Sequence, residues 1–501
     1  MQVKDIAITI VILLATMSVQ IWACSFEEKF QWVKHSYEEN FVGFQTVIDR
    51  KGMSAYDSHN QVIIQRIKSA KDLDECVVIL RDWLRFFDDK HSGIYARSQQ
   101  NIAVSENKQT VEPEYWQVDL AQFQEYLKSK TELDYEGIWD LGGQYKIGIV
   151  KEGNVYIGFV IETTNENWLP NMVKLKIEVV NDKVKSTFYA GDFSAETGEE
   201  LIVLDNYFLR MVMAQGNTKW FRDLTRLTPE VHPNQDIKNY IKYLTTNETY
   251  IEQLNSNTLY LRIPSFIGES HTFLDKFFAD NHDKITKTEN LIIDIRDNRG
   301  GYSQSFQPLL QLIYTNPYIK KAGPTYIGPL TIKHFKDGFE IHFTDPESWQ
   351  HQLCKEAYEE YKDIEGEFIY SETPLEDITD KIYDFPKNVG LIINNRSASA
   401  SEQLSLYAKQ SKKTKLFGVP SSGTIDYGNP IPADSPCKEI TLIYSSFMNN
   451  LAITMPVDYI GIQPDFLIDS SIPDYKWVEY VNDIIQNWVD KPATKKRSRK
   501  K

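Results

Sequence analysis

The stretch Ile393-Asn394-Asn395-Arg396-Ser397-Ala398-Ser399-Ala400-Ser401-Glu402 sets serines alternately among alanines, directly behind the apolar run 389–393. The run reads as a buried strand, and 402–409 reads as a helix. A small-residue turn between a buried strand and a helix places one side chain at the end of a sheet. It also leaves backbone N–H groups of the first helical turn unpaired and pointing at whatever sits there. A serine in this turn is therefore exposed and close to a ready oxyanion site, the two requirements of an acyl-transfer nucleophile. The same residues also read as a Ser/Ala-rich helix cap, serine being a favoured capping residue.

A second segment of the same kind is Asn290-Leu291-Ile292-Ile293-Asp294-Ile295, followed by Arg296-Asp297-Asn298-Arg299-Gly300-Gly301. Two short β-branched runs with helical stretches between them predict a parallel sheet built from strand–helix units. The glycine pair permits positive φ and a close backbone approach, so either glycine can offer an N–H to a substrate carbonyl. A plain Gly-Gly turn is the competing reading.

The elements around these turns follow from periodicity. A helical stretch, 73–87, closes into Asp88-Asp89-Lys90-His91-Ser92-Gly93. Residues 103–114 read as a linker, and 120–128 as a short helix. Alternating segments follow at 145–150, 155–161, 173–180 and 186–189, broken by Glu-Gly-Asn and Asn-Asp turns. That pattern describes an antiparallel meander, a small barrel or half-barrel, up to about residue 211. Lys409, Lys412, Lys413 and Lys415 fall on an amphipathic helix or its end, where lysines form a solvated, dipole-favoured face.

The segment 291–301 resembles the strand-and-glycine motif of the C-terminal processing (tail-specific) serine peptidases and their tricorn-core relatives. Ser397-Ala398-Ser399-Ala400-Ser401-Glu402 is similar to that family's nucleophile motif. Leu259-Tyr260-Leu261-Arg262-Ile263-Pro264-Ser265-Phe266 upstream and Gly461-Ile462-Gln463-Pro464-Asp465 downstream match in order and spacing. The resemblance covers about residues 255–470. It implies a crotonase-like (ClpP/crotonase-type) α/β peptidase core and peptide hydrolysis, and it carries the nucleophile over to Ser399.

One departure alters the implied mechanism. The tail-specific branch pairs its serine with a lysine in a Gly-rich turn, and here Thr424 stands in the matching turn, Gly418-Val419-Pro420-Ser421-Ser422-Gly423-Thr424. The resemblance then points to the histidine-using, tricorn-like branch. Of nine histidines, His91 lies in the suggestive context, an Asp-x-His-Ser-Gly segment similar to the one carrying the base in that branch. The third member carries over to Asp458, three residues before Gly461, where the family has a glutamate. A turn-forming aspartate is the competing reading there. The N–H groups of Ala400 and of Gly300 or Gly301 would hold the oxyanion. No Gly-Leu-Gly-Phe-like carboxylate loop marks the β-rich segment as a PDZ module.

The chain ends indicate the compartment. Residues 1–23 have Lys4, an apolar core over 6–17 and a short polar break, the layout of a secretory signal peptide rather than a membrane span. Ile21-Trp22-Ala23-Cys24 is close to a bacterial lipobox, so Cys24 is a candidate for lipidation and membrane attachment, with simple secretion as the alternative. Four cysteines form no disulfide framework, and none has metal-ligand spacing. A net charge of −15 argues against a nucleic-acid partner, which would require a basic face. No cofactor is expected.

These observations predict an α/β chain of five parts: a signal peptide (1–23), an N-terminal helical domain ending in the His91 loop (24–102), an inserted antiparallel β module (115–215), a serine peptidase core (240–475), and a C-terminal helix with a basic tail (476–501). The expected activity is exported, cell-envelope peptide hydrolysis of a peptide or protein substrate. The rival is a silent relative that binds peptides or glycans at the envelope.

Overall fold

The computed structural model describes residues 24–97, 111–181, 183–215, 218–319, 323–370, 375–376, 381–450 and 455–487. The expected signal peptide and basic tail lie outside the described residues. The fold is mixed α/β and divides into two compact units. One takes Met1–Ser98, Lys320–Pro374 and Gly423–Ile460, and the other takes Gln99–Ile319, Leu375–Ser422 and Gly461–Lys501.

The second unit contains a six-stranded sheet in the order Tyr250–Asn255, Thr258–Arg262, Asn290–Asp294, Asn388–Ile393, Thr414–Gly418, Phe466–Leu467. The first pair is antiparallel and the rest are parallel. Parallel strands buried on both faces read as unbroken apolar runs, which is why 290–294 and 388–393 were legible. Leu291, Ile292, Ile293, Leu391 and Ile392 are all buried. The helix Trp477–Gln486 covers one face, packing Trp477, Val481 and Ile485 on Tyr260, Ile292, Ile392 and Phe417.

The same unit holds a nine-stranded antiparallel sheet spanning Gly137–Leu141 to Thr218–Thr228. The alternating segments appear as Tyr145–Glu152, Val155–Thr163, Val173–Val180 and Lys183–Tyr189. The meander runs past the expected end near 211, through the hairpin Phe208–Gln215/Thr218–Thr228. Its two ends curl together. Arg222 forms a bidentate pair with Glu196 at 2.7 and 2.9 Å, and a side chain at Gly198 would strike Val212 O. Trp139, Ile147, Leu175, Met211 and Leu224 fill the interior.

The first unit joins four helices, Phe26–Asn40, Phe44–Lys51, Met53–Lys68 and Leu73–Leu84, to a five-stranded sheet. Ser25 and Glu28 form a capping box at the first helix. Phe30, Tyr37, Trp83 and Phe87 make an aromatic centre. The strand Gly93–Ala96 pairs with Ile440–Met448, so the N-terminal helices share a sheet with a segment that the sequence reading gave to the peptidase core. Cys24 and Cys437 are disulfide-bonded across the unit. A sulfur in that bond is not available for the lipid thioether expected of a lipobox cysteine.

Candidate active site

The turns after the strands Asn290–Asp294 and Asn388–Ile393 leave the same edge of the sheet, because the strands are parallel and in register from Asn290↔Asn388 to Asp294↔Ile392. Carboxyl ends of parallel strands are where α/β sheets place their ligands. Here the two turns interlock. The Asn298 carbonyl accepts the Ala398 N–H at 3.0 Å and the Ser401 hydroxyl at 2.8 Å. A side chain at Gly300 would lie 2.8 Å from Ala398 O, 2.8 Å from Ser399 Cβ and 2.9 Å from Ala400 N. Gly300 takes φ +95° as well, so position and conformation both require glycine.

Ser399 has φ 55° and ψ −116°, a region that a non-glycine residue occupies at a cost of about 1–3 kcal/mol. It immediately precedes the helix Ala400–Gln410. Glu402 helps hold it: Glu402 Oε2 accepts the Ser399 N–H at 3.0 Å, and Oε1 accepts the Ser421 hydroxyl at 2.5 Å. Ser421 Oγ in turn accepts the Ile462 N–H at 2.7 Å, which ties this turn to the Gly461-Ile462-Gln463-Pro464-Asp465 motif. Ala400 is the first helical residue, so its N–H belongs to the set that the helix cannot pair internally. The Gly300 N–H donates to Asn298 Oδ1 at 2.9 Å, and Gly301 packs against the Phe266 backbone.

His91 and Asp458 lie in the other compact unit from Ser399 and the glycines. The His91 loop is built on Asp89, whose carboxylate accepts the His91 backbone N–H at 2.8 Å and the Ser92 hydroxyl at 2.5 Å. Ser92 also meets the Tyr37 hydroxyl at 2.9 Å. Asp458 reaches this loop: its carboxylate accepts the Lys90 N–H at 3.2 Å, the Ile425 N–H at 2.6 Å and the Asp426 N–H at 2.9 Å. Asp426 Oδ2 returns the contact by accepting the Asp458 N–H at 2.9 Å. Burial pushes the Asp458 carboxyl up to about 7, and the charge of Asp426 acts in the same direction against the lowering effect of the backbone donors.

The lysines have other roles. Lys409 pairs with Asp465 at 2.9 Å. Lys413 precedes the strand Thr414–Gly418, at the end of the sheet away from Ser399, and donates to Tyr383 O at 3.3 Å. Burial lowers its ammonium to about 8, so it is not the solvated lysine that the helix pattern predicted. Sequence reasoning assigned no role to Asn298, Glu402, Ser421 or Asp426. Asn298 and Glu402 stand inside the motifs quoted above, within two or three residues of assigned positions, and that proximity was the available signal.

Residues 257–467 match the model of peptidase family S41. No curated protein sequence matches the chain. Among solved structures the chain is similar to mature CPAF complexed with lactacystin, at 10% identity and TM-score 0.45 over 92% of this chain and 97% of that one. It is similar to the photosystem II D1 C-terminal processing protease at 13% identity and TM-score 0.35, over 92% and 98%. It is similar to the tricorn protease at 12% identity and TM-score 0.38, over 92% of this chain and 36% of that one. At TM-scores this low the likenesses carry no functional weight.

Proposed function

We propose, from the match of residues 257–467 to the model of peptidase family S41, that the chain is an exported serine peptidase with a crotonase-like core, using Ser399, His91 and Asp458. The observation that carries this reading is the strained backbone of Ser399, held at a sheet's carboxyl edge with Gly300 packed against it. Strain of this kind at a helix start presents a hydroxyl outward beside unpaired N–H groups.

In this mechanism Ser399 Oγ attacks the peptide carbonyl while His91 takes its proton. The carbonyl oxygen becomes an oxyanion held by the N–H groups of Ala400 and of Gly300 or Gly301. His91 then returns the proton to the departing amine as the C–N bond breaks, leaving an acyl-serine. Water, activated by the same histidine, releases the acid and restores the serine. Asp458 stabilises the imidazolium formed in each half. Export is supported by the Cys24–Cys437 disulfide, since such bonds persist in oxidising compartments.

The test is hydrolysis of a quenched-fluorescence peptide library by the purified chain lacking residues 1–23. Cleavage by the wild type, lost in Ser399→Ala with an unchanged melting temperature, is the expected result. Cleavage at the same rate in Ser399→Ala would refute the assignment. A folded wild type that binds peptides without cutting them would support the silent relative instead.

A further inference from the structure

A cavity of about 180 Å³ opens within the second unit, among the helix Gln235–Thr245, the strand Tyr250–Asn255 and the helix Trp477–Gln486. The peptidase chemistry above makes no use of it. Tyr240, Tyr243 and Tyr475 give it aromatic surface, and Leu254 and Val478 give it apolar surface. The amides of Gln235, Asn239, Asn255 and Asn482 also line it.

Its carboxylates outnumber the ammonium that they share. Lys476 pairs with Asp236 at 2.5 Å and with Glu479 at 2.6 Å. Arg296 is tied to Asp294 at 2.7 Å and stacks on Tyr243, its guanidinium carbon 4.3 Å from the ring centre. A phosphate or carboxylate ligand would find both cations already engaged, and desolvating it there would be costly. The amides instead set donors beside acceptors. Gln235 Nε2 donates to Asn239 Oδ1 at 2.8 Å, and Asn255 Nδ2 donates to Asn482 Oδ1 at 3.2 Å, so the Asn239 and Asn482 amino groups can serve a ligand. Ligand hydroxyls suit such a lining because each donates and accepts at once. The C–H face of a saturated ring packs on tyrosine.

Size narrows the class further. A volume of about 180 Å³ is roughly six waters' share of liquid, at ~30 Å³ each, and falls below the ~300–1,000 Å³ of sites that enclose drug-sized ligands. We propose that this cavity binds one ring of an uncharged saccharide, either a free monosaccharide or the terminal residue of a glycan. The site is independent of the peptidase reading, and its test needs no turnover.

The experiment is saturation-transfer NMR on the chain lacking residues 1–23, with glucose, galactose, mannose and N-acetylglucosamine as probes, and their β-linked disaccharides as a second arm. At least one ring should show transfer with a dissociation constant on the order of 1 mM. Binding should weaken at least tenfold in Tyr475→Ala and in Asn239→Ala and stay unchanged in Ser399→Ala. Tighter binding of a disaccharide would assign a glycan end, and weaker binding a free monosaccharide. Asn239→Ala keeps the test valid if Tyr475→Ala fails to fold, because it removes only a small half-buried amide. No transfer from any probe, or binding weakened less than tenfold in Asn239→Ala, would overturn the proposal.

Discussion

His91→Ala is expected to lower kcat/KM for a cleaved peptide by about 10⁴-fold or more, close to the loss in Ser399→Ala, because members of a triad act as a unit. Lys409→Ala should leave kcat/KM nearly unchanged, since that ammonium is engaged by Asp465. The pH profile adds a second readout. His91 must be neutral to accept the proton, and an ordinary imidazole protonates near pH 6.5. Asp458 must be charged to steady the imidazolium, and burial has raised its carboxyl from 3.8 to about 7. Acidification therefore removes both requirements over overlapping ranges. The acid limb of log kcat/KM should steepen toward a two-proton slope, with apparent values that belong to the pair. Asp458→Asn should be slower and fall with a one-proton slope. The same shift fixes a sign for stability. The protonated Asp458 is the favoured folded form, so its contribution is full below about pH 4 and lost as pH rises through about 7. Loss of activity in Lys409→Ala with His91 dispensable would mean that the proton is taken by the wrong residue in this mechanism.

Asp294→Ala should be the most destabilising single change in the sheet. The carboxylate is wholly buried at the end of its strand. It accepts from Arg296 Nη2 at 2.7 Å, from the Arg296 backbone N–H at 3.0 Å and from the Tyr260 hydroxyl at 2.9 Å. Burial alone would raise its pKa, but Arg296 and Arg262 overcome that and hold it below the ordinary carboxylate value. Removing it leaves the Arg296 and Arg262 guanidinium groups buried without a counter-ion, which costs about 3–5 kcal/mol. That is a large share of the ~5–15 kcal/mol of a typical domain, so the melting temperature should fall by roughly 10 °C. An exposed pair gives the contrast: Lys276→Ala removes a surface contact to Asp280 and should shift stability by less than about 0.5 kcal/mol. Differential scanning calorimetry of both variants checks this, and an Asp294→Ala transition within 2 °C of wild type (roughly 1 kcal/mol) would contradict it.

Features encoded in local pattern were legible in the sequence, and features that depend on distant partners were not. The strands Asn290–Asp294 and Asn388–Ile393 announce themselves because burial on both faces leaves no polar position. The meander was readable from its period of two, although its last hairpin was missed, where charged Arg222 and Asp223 interrupt the alternation. The pairing of Gly93–Ala96 with Ile440–Met448 joins residues more than 300 positions apart, and a four-residue strand carries no mark of its partner. The same distance hid the Cys24–Cys437 bond, which the lipobox pattern around Cys24 also obscured. At the candidate site, a serine in the turn after 389–393 and the glycine pair stood out from chemistry that a turn performs by itself, and the choice of Ser399 rested on the family resemblance. Glu402 was passed over because a glutamate three residues into a helix is a common capping residue, and its link to Ser421 forms only in the fold.

Fluorophosphonate labelling, mapped by peptide mass spectrometry, tests the central claim most directly, because the probe reacts only with a serine that is already activated. The folded wild type should carry a single adduct on Ser399, formed far more slowly in His91→Ala and absent in Ser399→Ala. A folded wild type with no adduct, or an adduct on Ser397 or Ser401 with Ser399 unmodified, would contradict the claim and leave Ser399 as a strained helix cap.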